Sequence, residues 1–93
     1  MSGWDWEYTP DRAQVTDGLP EHIVAAAERT AEDLKGLAEV GVDITDIGHG
    51  PDHGGPGGVR RIDLPTGGWV LVLPLPRLGL IEITRIVPPV EHL

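Results

Sequence analysis

The stretch from Val59 to Pro88 limits the possible folds more than any other part of this chain. It reads as three β-strands separated by two tight turns. In Val59–Leu64, residues Arg60, Ile62 and Leu64 share one face, and Val59, Arg61 and Asp63 share the other. Thr66-Gly67-Gly68 is a hairpin turn signal. Trp69–Leu75 is apolar throughout up to Pro74, as expected of a central strand covered on both faces. Pro74 and Pro76 are expected to end its pairing, since neither can donate to a ladder. Arg77-Leu78-Gly79 makes the second turn. In Leu80–Val87, strict alternation puts Ile81, Ile83, Arg85 and Val87 on one face and Leu80, Glu82, Thr84 and Ile86 on the other. Short turns between consecutive strands imply an antiparallel meander.

The N-terminal part supplies a further strand and helices. Trp4, Trp6 and Tyr8 alternate with Asp5, Glu7 and Thr9, a half-buried strand pattern rich in aromatic core anchors. Pro10 stops it, and Thr9 is placed to cap a short helix over Asp11–Asp17 that ends at Gly18. Leu19-Pro20 opens a longer helix over Glu21–Val40. Its apolar stripe comprises Ile23, Ala27, Ala31, Leu34 and Ala38, widened by Val24 and Leu37. Gly36 sits inside that helix, either for close approach of a strand or as the start of fraying. Gly41 is the stop signal. Val42–Ile47 reads as a short extended piece.

These elements predict a two-layer α+β domain over residues 1–93. It has an N-terminal strand, a helical hairpin and a three-stranded antiparallel meander, with the helices on one face of the sheet. The other face is then either solvated or a binding surface.

Composition narrows the function classes. The formal net charge is −8. Residues 1–58 hold twelve acidic and three basic residues, whereas residues 59–93 hold four arginines against Asp63, Glu82 and Glu91. A surface this acidic repels nucleic acid at long range, so any polyanion contact has to be local to the strands. With no cysteine, disulfides and thiolate metal sites are excluded. The start, MSGWDWEYTP, has no basic segment before an apolar run, and no apolar run is long enough to span a bilayer. A cytoplasmic protein is expected. Between the helices and the meander lies a glycine-rich loop, Gly48–Gly58. Its His49, Asp52 and His53 could supply at most three metal ligands on an irregular segment. The competing expectation is a surface loop with no metal and no cofactor.

In order and spacing the chain resembles the RelE/ParE superfamily of bacterial type II toxins. The resemblance is carried by WEYTP at Trp6–Pro10, Leu19-Pro20, VRRID at Val59–Asp63, GGWVLVL at Gly67–Leu73 and LIEITRIV at Leu80–Val87. It implies a strand, a helical hairpin and a meander. It also implies an antitoxin-like protein partner that lays an extended or helical segment across the domain. For members that cleave mRNA on the ribosome, it implies basic strand residues at the scissile phosphate. The matching positions are Arg60, Arg61 and Arg85, with His92 as the one base near the C-terminus. Guanidinium groups suit that chemistry because they bind phosphate bidentately and stabilise its developing charge. A penultimate histidine is poorly placed as a base, and the lysines usual in the family are missing, Lys35 being the only one. The first expectation is therefore a catalytically degenerate toxin-fold module that binds protein. The alternatives are an active ribosome-dependent mRNA endoribonuclease and a small metal or ligand module built on the Gly/His loop.

Overall fold

The computed structural model describes residues 3–50 and 57–90. The fold is mixed α+β: a four-stranded sheet with one main helix packed against it. In chain order the elements are β1 (Asp5–Tyr8), α1 (Arg12–Thr16), α2 (Glu21–Glu39), a 3₁₀ turn (Ile44–Asp46), β2 (Arg60–Asp63), β3 (Trp69–Leu75) and β4 (Leu80–Val87). The sheet order is β1-β4-β3-β2. The last three strands form the expected antiparallel meander, and β1 joins its far side parallel to β4.

The second layer is carried mainly by α2, whose buried face is Ile23, Val24, Ala27, Ala31, Leu34 and Ala38. Three of these are alanines, which lets the helix lie close to the sheet. Val70 and Val72 of β3 and Ile81, Ile83 and Ile86 of β4 meet it from the other side. Each fully buried isoleucine here contributes about 2–3 kcal/mol. Pro20 occupies the N-cap, its carbonyl accepting from the Ile23 and Val24 amides. At the C-terminal end Val42 N–H donates to Leu37 and Gly41 N–H to Ala38, the Schellman pattern, with Gly41 at φ +90°. The helix runs unbroken through Gly36, where an added Cβ would meet open space, so neither a close strand nor fraying explains that glycine.

Other local expectations are corrected. Asp11, not Thr9, caps α1, its carboxylate accepting from the Gln14 amide at 2.8 Å. Residues 44–46 form a 3₁₀ turn rather than an extended piece, because the Asp43 carboxylate accepts from the Thr45 amide and folds the chain back. Pro74 lies within β3, opposite Ile81, and does not end it. Its missing N–H is tolerated near the strand end.

The largest correction is in β4. A bulge sets both Thr84 and Arg85 against Leu71, and the Thr84 hydroxyl donates to the Leu71 carbonyl at 3.2 Å. One extra residue shifts the alternation by one. Ile86, not Val87, therefore enters the core, and Arg85 leaves the apolar face to which strict alternation assigns it. Trp4, Trp6 and Tyr8 pack against the core as expected, but Trp69 stands half-buried on the opposite face. Among the described residues no helix is long and apolar enough to cross a membrane.

Candidate functional site

The four arginines of the meander have separate fates. Arg60 is on the helix-side face and is 3% exposed. Its Nε donates to the Ile47 carbonyl at 2.7 Å, and its Nη atoms reach the Gly48 and Gly57 carbonyls at 3.4 and 3.5 Å. A cation is thus solvated by backbone oxygens from both shoulders of the glycine-rich loop, a substitute for water that makes its burial tolerable. Gly50 packs directly on the guanidinium, where a Cβ would collide with it. Arg60 is an anchor of the loop and has no access to a substrate phosphate.

Arg61 points the other way. Its guanidinium stacks over Trp69 at 5.0 Å from the ring centroid, and its Nε lies 3.7 Å from Asp63. His49 approaches the same carboxylate at 3.7 Å. The backbone holds His49 there: its N–H donates to the Arg61 carbonyl and its carbonyl accepts from the Arg61 N–H, at 2.9 and 2.7 Å. Among the described residues no group of three potential metal ligands forms. Asp52, His53 and His92 lie outside the described residues. Arg77 lies in the exposed turn between β3 and β4.

The face away from α2 collects the remaining groups in rows across the strands. One row is Asp63, Trp69 and Val87; the next is Arg61, Leu71 and Arg85. The third is Leu73, Glu82 and Glu7, and the fourth Leu75, Leu80 and Asp5. Four residues of β3 (Trp69, Leu71, Leu73 and Leu75) therefore form an apolar ridge, half-buried only by one another and their neighbours. The continuous apolar run of β3 suggests cover on both faces, but the second cover is missing among the described residues. Arg61 and Arg85 flank the ridge at Leu71, and acids lie towards β1. Arg85 also borders an open cleft of about 340 Å³ against α1, with Gln14 and Asp17 on its rim.

The sheet edges are partly engaged. The Trp6 N–H, which points away from β4, is taken by the Asp5 carboxylate at 2.8 Å. The outward groups of Arg61 on β2 are taken by His49. On the helix side, Tyr8 donates to Glu28 at 2.6 Å and Trp6 Nε1 donates to Glu32 at 3.1 Å. These bonds tie β1 to α2. Burial first, and the Glu28 carboxylate second, push the Tyr8 phenol well above its ordinary pKa.

Sequence reasoning singled out the arginines but missed Leu71, Leu73 and Glu82. Counting layers predicts the open face, and alternation along β3 is the further step that assigns Leu71 and Leu73 to it. No protein-family model, curated protein or solved structure matches this chain.

Proposed function

We propose that this chain is a catalytically degenerate toxin-fold module of the cytoplasm. In this reading it resembles the toxin component of a type II toxin–antitoxin pair, and it binds a protein partner through the open face of its sheet. The observation that carries the reading is the uncovered apolar ridge of β3, flanked by Arg61 and Arg85. Tryptophan and arginine side chains around an apolar centre on one surface suit protein recognition. The pairing of Arg61 on the β2 edge with His49 favours the face over strand addition on that side.

Ribonuclease chemistry is supported less well. Arg60 is committed to the loop, and His49 is drawn to Asp63. One observation favours it: Arg61 and Arg85 both pair with Leu71, so two guanidinium groups share a row. The deciding experiment is induced expression with and without the neighbouring reading frame, scored for growth arrest and mRNA integrity in a translating extract. The binding reading expects intact mRNA, together with co-purification of the neighbouring product that Leu71→Asp abolishes. Cleavage that disappears in Arg61→Ala would establish the ribonuclease instead.

A further inference from the structure

The open face is complementary to itself. Take a two-fold axis lying in that face, perpendicular to the strands, between the Arg61–Leu71–Arg85 row and the Leu73–Glu82–Glu7 row. Rotation about it exchanges those two rows. On β4, Arg85 of one copy then stands over Glu82 of the other, and the pair occurs twice. On β3, Leu71 stands over Leu73, and Trp69 over Leu75 in the row beyond. Among the described residues neither the Arg85 nor the Glu82 side chain has an ion-pair or hydrogen-bond partner within its own chain. An interface of this kind needs one patch to supply both halves of each contact.

We infer that a second copy of this chain covers the open face when no other partner does, forming a two-fold face-to-face dimer held by reciprocal Arg85–Glu82 pairs around the β3 ridge. The inference rests on the reading of this face as a binding surface, and it adds the occupant. Strands of 4, 4, 7 and 8 residues, spaced about 4.8 Å apart and rising about 3.3 Å per residue, present roughly 360 Å² in projection. That is below the roughly 800 Å² per partner of a stable complex. The dimer is therefore of the weak, transient kind.

Sedimentation equilibrium over about 10 µM to 1 mM tests it. The average mass is expected to rise from the 10.0 kDa of one chain towards twice that value. Arg85→Glu should weaken association at least about tenfold by setting like charges opposite each other. Adding Glu82→Arg to it should restore association to within about threefold of the parent. In a mixture of differently labelled chains, intermolecular contacts should appear between Leu71 and Leu73 methyl groups. A monomer throughout the range, an association indifferent to Arg85→Glu, failure of the exchanged pair to rescue, or absence of the methyl contacts overturns the dimer. A chain that stays monomeric yet loses its neighbouring-frame partner on Leu71→Asp overturns the dimer alone and leaves the binding reading standing.

Discussion

Arg60 shows how a residue type can mislead when its surroundings are unknown. A basic residue on a strand invites a phosphate reading, yet this one supports the two described shoulders of a loop from beneath. Arg60→Ala would leave at least three carbonyls without a charged donor and should cost about 2–4 kcal/mol of stability by denaturant unfolding. Arg61→Ala, on the exposed side, should cost about 1 kcal/mol or less. Tyr8 is the only tyrosine in the chain, so its titration can be followed by phenolate absorbance without overlap from another phenol. Its pKa is raised in the folded state, so its contribution to stability is complete below the ordinary value of about 10 and is lost as pH rises above it. Absorbance should show ionisation displaced above the ordinary range and coupled to alkaline unfolding. Glu28→Gln should bring the displacement only partly back, because burial is its larger cause.

At the scale of elements, α2 gives a direct test of what its glycines do. Gly36 has helical surroundings and open space, so Gly36→Ala should stabilise the protein by about 0.5–1 kcal/mol in thermal or denaturant melts. Gly41 sits at φ +90°, so Gly41→Ala should destabilise by about 1 kcal/mol even though nothing blocks its side chain. The helix, its stop and the two meander turns were legible in the sequence because each has a local cause: apolar period, left-handed glycine, tight-turn dipeptide. The bulge was not. Whether Thr84 and Arg85 both oppose Leu71 depends on how β4 meets β3, and alternation within β4 carries no record of its neighbour. The burial of Arg60 was hidden for a similar reason. Strand parity correctly separated it from Arg61, but its partners are carbonyls of residues 47, 48 and 57, which look like any other backbone.

For the molecule as a whole, the charge is unevenly spread, with the acidic residues concentrated in the first 58 positions. Glu28 and Glu32 lie one turn apart on α2, and Asp5 and Glu7 project from β1. Self-repulsion of this kind is relieved by screening. Raising salt from about 10 to 200 mM should therefore increase unfolding stability by about 0.5–1 kcal/mol, a rise that melting in sodium chloride would register. The anchoring around Arg60 has a consequence for how such a protein can diversify. Gly50 and Gly57, on either side of residues 51–56, are held by groups of the described residues: the His49–Arg61 bridge, the Gly57 amide on Thr45, and the buried guanidinium. The register of β2 is thereby held by groups that flank that stretch. Doubling a closed loop costs only about 0.6 kcal/mol in chain entropy. A peptide inserted between Gly50 and Gly57 is therefore expected to leave the sheet and its open face in place, with a melting temperature close to the parent's.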